Sequence, residues 1–285
     1  SSTPGGSVYV KGSIRIYMED VNFIDSYTSK YGGGVFSDAA KVDVRYGCFC
    51  RCTGSSSAPT GTGNYYFAGK LGTQTKTQEI NVKECTVYYC PGQYSKGDST
   101  LCLRLGKITT SLLNFTNNQP EIEICIFNGP VGSAGPRYLT LTENNPGELI
   151  DSYITGSPTY EYCNLVNNNK RSSTVALVNG QETMTLRYGV IAGNTASKLS
   201  TNKVTFSSVY FYDNKMSTSE YRTATYKIVY FKDGECKYIP PQTRTPPPTL
   251  TPSQSPTRSK SLRFTKNIKE VTSLNGLIFL VFLIT

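Results

Sequence analysis

The apolar residues of this chain fall in short runs broken by Gly, Pro, Asn, Ser and Thr, with little helical spacing. That texture predicts β-structure throughout. Within it one pattern recurs: a large apolar residue, two variable residues, then Asn, Cys or Ser. The apolar members are Phe23, Phe49, Val87, Phe115, Leu141, Leu165, Ile191 and Phe211. Their partners three residues on are Ser26, Cys52, Cys90, Asn118, Asn144, Asn168, Asn194 and Asn214. Successive apolar members are 26, 38, 28, 26, 24, 26 and 20 positions apart, and the one long gap holds a Gly/Ser/Thr-rich run at 54–63 that reads as a loop insertion. A second apolar element precedes each motif, at Val8-Tyr9-Val10, Val35-Phe36, Tyr66-Phe67, Leu103-Arg104-Leu105, Ile124-Cys125-Ile126, Leu149-Ile150, Ala176-Leu177-Val178 and Leu199.

A unit of two or three short strands cannot bury an apolar face alone. Stacked on copies of itself at about 4.8 Å, it places like residues over like and builds continuous inward columns. Side-chain alternation puts the position two before the motif inward as well; it reads Val21, Gly47, Cys85, Leu113, Leu139, Cys163, Gly189 and Val209, small or apolar in every unit. The position between, from Asn22 to Tyr210, is mostly polar and is expected outward. The expected fold class is therefore all-β, a right-handed parallel β-helix of about eight to nine coils of ~25 residues, spanning 1–239. The Asn, Cys and Ser positions form a turn ladder, in which Asn tolerates a positive φ and can hydrogen-bond up the column. Stacking puts Cys52 and Cys90 within disulfide reach, so in an oxidising compartment these two are expected to pair. Cys85 and Cys163 read as small core fillers.

Composition narrows the chemistry. The net charge is +9, but basic residues concentrate near the C-terminus, leaving about +4 on the first 240 residues. The basic residues of the body are scattered and not gathered into a stripe, so no nucleic-acid partner is expected. There is no histidine among the 285 residues, and the nine cysteines lack metal-knuckle spacing. Cys48, Cys50 and Cys52 alternate singly and are expected on one strand face. No metal and no cofactor is expected. The chain starts at Ser1 without Met, and the original N-terminus is read as lying elsewhere.

The Phe-x-x-Asn motifs ending in Asn118 and Asn214, with Gly32-Gly33-Gly34-Val35-Phe36 after a motif, resemble the repeats of chlamydial polymorphic outer-membrane proteins. Joined to a Thr/Pro-rich stalk, they resemble the large β-helix surface proteins of trichomonad parasites still more. The resemblance covers about residues 8–240 and the stalk. It implies a surface or secreted β-helix with adhesive roles, and it carries no ligand over to any residue.

After Ile239 the composition changes. Residues 240–262 form a Pro/Thr/Ser-rich linker, read as an extended, disordered stalk. Residues 263–285 carry a basic flank and a hydrophobic tail of Leu274, Leu277, Ile278, Phe279, Leu280, Val281, Phe282, Leu283 and Ile284. Twelve residues from Leu274 to the end are fewer than the roughly 20 that cross a bilayer. The tail reads as part of a transmembrane helix, a lipid-anchor signal or an ordinary apolar terminus. Cell-surface, membrane-anchored or secreted localisation is the expectation.

Parallel β-helices include polysaccharide lyases and hydrolases, but Asp38 with Asp151, and Asp25 with Asp213, share phase only across several coils. No catalytic residue is assigned. A non-catalytic adhesion or binding role toward a host glycan or surface protein fits better, displayed through outward aromatics such as Tyr46, Tyr65, Tyr88, Tyr138, Tyr153 and Tyr162. A polysaccharide-cleaving enzyme and a purely structural spacer are the alternatives. Asn114-Phe115-Thr116 is a glycosylation sequon whose phase makes Asn114 outward.

Overall fold

The structure, a computed structural model, describes residues 6–28, 32–54, 79–90, 99–104, 106–120, 123–168, 176–201 and 203–216. The stalk, the tail, most of the loop insertion, Tyr65, and the Tyr66-Phe67 element lie outside the described residues. Every described element is a β-strand and every pairing is parallel.

Eight strands follow one another in the main path of the large sheet: Val8–Glu19, Val35–Arg45, Glu79–Tyr88, Lys107–Thr116, Arg137–Thr142, Thr159–Val166, Met184–Arg187 and Val204–Ser207. Short strands such as Asn22–Ile24, Cys48–Cys50, Val190–Ala192 and Tyr210–Tyr212 continue the rungs that break at a bend. A second sheet stacks Ser99–Arg104, Glu123–Asn128, Glu148–Ser152, Ala176–Gly180 and Lys198–Ser200 in parallel. The chain alternates between the two sheets as it climbs, which makes a parallel β-solenoid.

The register is the one the motif requires. Phe23 pairs with Phe49, Phe49 with Val87, Val87 with Phe115, Phe115 with Leu141, Leu141 with Leu165, Leu165 with Ile191, and Ile191 with Phe211. All eight side chains are buried in one continuous core. Phe23 and Phe49 stack with ring centroids 5.0 Å apart. Leu113, Leu139 and Cys163 form the expected second inward column. Burial pushes the Cys85 and Cys163 thiols up to about 12, as befits cysteines used as filler.

Three expectations are corrected. The described residues make about six turns, against the eight to nine coils expected; among them the large sheet has eight rungs in its main path and five strands form the second sheet. The ladder asparagines are not the residues at positive φ. That conformation falls one position earlier, at Asp25, Arg51, Tyr89, Asn117, Glu143, Asn167, Gly193 and Asp213. The left-handed residue turns the chain so that the next side chain points inward. The same turn at Arg51 ends the strand alternation, so Cys52 does not share a strand face with Cys48 and Cys50. Lastly, Cys52 and Cys90 are not bonded to each other: both are buried thiols whose sulfurs take part in hydrogen bonds.

Candidate functional site

The turn ladder is the most ordered polar feature, and it lies inside the solenoid. Asn118, Asn144, Asn168 and Asn194 are fully buried. Each asparagine Oδ1 accepts from the backbone N–H of the ladder residue one rung earlier: Cys90 to Asn118 at 2.8 Å, Asn118 to Asn144 at 2.8 Å, Asn144 to Asn168 at 2.9 Å, Asn168 to Asn194 at 2.9 Å, and Asn194 to Asn214 at 3.0 Å. Each Nδ2 donates to the carbonyl of the preceding rung's motif residue, as Asn144 does to Phe115 at 2.9 Å. Neighbouring amides also bond each other at 2.9–3.0 Å. A column of buried amides with every group paired locks register and leaves nothing facing a ligand. The cysteines imitate this chemistry. The Cys52 N–H donates to Cys90 Sγ at 3.2 Å, and the Cys52 thiol donates to the Phe23 carbonyl at 3.3 Å.

Function must therefore be sought outside. A second column of left-handed residues sits three positions before each motif residue: Asp20, Tyr46, Glu84, Leu112, Tyr138, Tyr162, Tyr188 and Ser208. This bend throws the side chain clear of the sheet corner. On three consecutive rungs it holds tyrosine, and the rings stack: Tyr138 on Tyr162 at 4.8 Å and 15°, and Tyr162 on Tyr188 at 5.4 Å and 28°. The residues just before them are also in register, Arg137 with Glu161 and Glu161 with Arg187. Arg137 Nε lies 3.4 Å from Glu161 Oε2. Its guanidinium lies 5.2 Å from the Tyr138 ring and 5.6 Å from the Tyr162 ring. Arg187 covers Tyr188 at 4.4 Å.

This geometry restricts what the strip can do. The inner ring faces are taken up by one another, Arg137 flanks the Tyr138–Tyr162 pair and Arg187 lies by Tyr188, so a partner meets ring edges, phenol oxygens and the two arginine forks. A sugar cannot slip flat between the stacked rings; polar contact along their rigid edge is open to it.

Tyr46, Tyr138 and Tyr162 thus belong to the bend column. Tyr88 is on a different column and 38% exposed, and Tyr153 follows a strand of the second sheet, also 38% exposed. Sequence reading missed Tyr188, Arg137 and Arg187. The fixed phase of three residues before the motif was the available signal. Asn114 is half-buried in the middle of Lys107–Thr116, paired to Thr86 and Thr140, and its Oδ1 accepts from the Thr116 hydroxyl at 3.3 Å.

The described carboxylates are largely occupied. Arg51 holds Asp25 through two 2.6 Å hydrogen bonds, which lower the pKa of that carboxyl. Lys41 does the same to Glu79 from 2.6 Å. Asp151 differs. It is 4% exposed on the second sheet, and its Oδ1 has no hydrogen-bond partner. Burial raises its pKa against the hydrogen bonds of Tyr153 and Gln181 and the charge of Arg104, which lower it. A carboxyl that holds its proton more tightly folded than unfolded contributes stability below its unfolded pKa of about 3.9 and loses it as pH rises through the folded value. Asp151→Asn is accordingly expected to match or exceed the parent at pH 7 and to lose that advantage toward pH 4. Denaturant titrations across that range check it; a difference independent of pH would contradict it. Among the described residues no group of three or more Cys, Asp or Glu could hold a metal ion.

No protein-family model, no curated protein and no solved structure matches the chain. The fold and the exterior geometry therefore carry the functional reading.

Proposed function

We propose that the solenoid is a non-catalytic binding scaffold, a right-handed β-helix presented on a cell surface or secreted, with the Arg137/Tyr138, Glu161/Tyr162 and Arg187/Tyr188 strip as its contact face toward a host glycan or surface protein. The single observation behind this reading is that strip: three rungs of aromatic and charged side chains, held in register by a core that cannot shift. Rigid, pre-ordered contact groups lose little entropy on binding. The resemblance of the motifs to polymorphic outer-membrane and trichomonad surface proteins supports the same reading. The stalk at 240–262 and the tail at 274–285 would carry the scaffold away from, and tether it to, a membrane.

The test is binding of the labelled chain to host cells and to arrayed glycans. The Tyr138→Ala, Tyr162→Ala, Tyr188→Ala triple variant is expected to lose at least ten-fold in affinity while keeping its far-UV circular dichroism. Truncating a hot-spot tyrosine costs about 2 kcal/mol or more, and about 1.4 kcal/mol is ten-fold. Unchanged binding by a folded triple variant would refute the strip as the contact face.

One observation favours a second reading, polysaccharide cleavage: the buried carboxyl of Asp151, whose Oδ1 has no hydrogen-bond partner. Turnover of a polysaccharide that disappears in Asp151→Asn would establish it.

A further inference from the structure

The chain has nine cysteines. Eight lie among the described residues: seven are thiols, and Cys48 is disulfide-bonded. Elimination leaves one partner, Cys236, which lies outside the described residues. The surroundings of Cys48 point the same way. Register places Cys48 and Cys50 outward, on either side of the inward Phe49. Outward side chains of a sheet meet water unless something covers them, yet Cys48 is 8% exposed and Cys50 1%. Neither belongs to the hydrophobic core. Ala192, in the Cys50 column and beside the bulky Tyr212, remains half-buried.

The face around these two cysteines also suits a covering chain. Their outward columns run from Asn22 to Tyr210 and from Ile24 to Tyr212, and carry no charged residue on any rung. Ahead of the bend the same rungs place Arg15, Lys41, Lys83, Arg137 and Arg187 outward. A chain laid on the uncharged columns therefore strips water from no charge. The connection is long enough. Cys48 lies six rungs from Tyr210, about 29 Å at roughly 4.8 Å each. Cys236 lies twenty residues after Met216, a length that extends to about 66 Å. The sequence between them supplies apolar side chains at Tyr226, Ile228, Val229, Tyr230 and Phe231.

We infer that Cys48 and Cys236 form a disulfide, which straps the segment after Met216 back along the uncharged face to the second rung of the large sheet. Two S–H bonds break and one S–S bond forms; two electrons and two protons pass to a disulfide oxidant, which leaves as a pair of thiols. The bond therefore needs an oxidising compartment. It ties the sequence beyond the last described rung to the second, covers Cys50, and does not depend on what the tyrosine strip binds.

The full chain, secreted through an oxidising compartment, is digested without reduction by trypsin and chymotrypsin and mapped by mass. Cleavage after Arg45, Phe49, Lys232 and Lys237 separates Cys48 from Cys50. A pair joining 46–49 to 233–237 that parts on reduction is the expected result. Recovery of Cys236 as a thiol, or bound to another cysteine, would overturn the disulfide. Cys236→Ser tests the strap. Native alkylation of Cys50 by iodoacetamide is expected to speed up at least about ten-fold in this variant, because a thiol reacts only where reagent reaches it. Cys163, buried in the core, is expected to stay unreactive in parent and variant, which separates local uncovering from loss of fold. Cys48→Ser removes the other half of the bond and is expected to give the same result. An unchanged Cys50 rate beside an unreactive Cys163 in either variant would overturn the strap.

Discussion

Asn144→Ala is expected to cost about 3–5 kcal/mol of unfolding free energy, far more than an asparagine on a surface turn. The residue is fully buried, and four hydrogen bonds meet at its amide. Its Oδ1 accepts from the Asn118 N–H at 2.8 Å and from Asn118 Nδ2 at 3.0 Å; its Nδ2 donates to the Phe115 carbonyl at 2.9 Å and to Asn168 Oδ1 at 3.0 Å. Alanine removes both ends at once and orphans groups that water cannot reach. Each buried orphan costs about 1–3 kcal/mol. Asp in the same place keeps an acceptor but loses the donor, setting carboxylate oxygen against two other acceptors, so it is expected to be no better. The neighbouring Glu143 provides the contrast. It is exposed and left-handed, with φ of 55°, and Glu143→Gly relieves that conformation at no hydrogen-bond cost. Urea denaturation of the three variants checks this. A loss below 1 kcal/mol for Asn144→Ala would mean the ladder is not what holds the turns together.

Leu141→Asp is expected to be more damaging still, abolishing cooperative folding. Leu141 is 0% exposed and sits between Phe115 and Leu165 in the central column. A carboxylate there has no cation within the core and would have to be neutralised or the rung opened. In a solenoid each rung is stabilised mainly by its two neighbours, so an opened middle rung separates the stack into two shorter ones. Leu141→Ala, by comparison, is expected to cost about 2–5 kcal/mol and to leave one transition. Calorimetry distinguishes the outcomes: a single transition near the parent temperature for Leu141→Asp would place this side chain outside the core.

How far the sequence spoke for itself depended on which force fixed each feature. The eight-member apolar column was legible because burial tolerates only large apolar side chains at Phe23 through Phe211, whatever the loops between them do. The asparagine column was legible for the same reason, since five successive rungs, from Asn118 to Asn214, place an amide at one phase. Its mechanism was not. Asn117 and Glu143, not Asn118 and Asn144, take the left-handed conformation, because the bend must be complete before the amide can turn inward. Stacking distance, given an oxidising compartment, points to a bonded Cys52–Cys90 pair. The structure uses their sulfurs as the acceptors and donors that Asn supplies elsewhere. The Tyr138, Tyr162 and Tyr188 strip was half visible. Outward aromatics can be guessed from alternation, but stacking depends on a positive-φ bend that has no single residue signature: Asp, Glu, Leu and Ser occupy it on other rungs.

The claim beneath all of this is that successive rungs climb in register. Spin labels carried on genetically encoded ketone residues at position 116 paired with 192, and at 116 paired with 212, measure it directly. These positions are one column of the stack, running Thr116, Thr142, Val166, Ala192 and Tyr212. At about 4.8 Å per rung the backbone separations should be roughly 14 and 19 Å, growing linearly with rung number. Equal distances for the two pairs, or a shorter distance for 116 with 212 than for 116 with 192, would contradict the stacked solenoid.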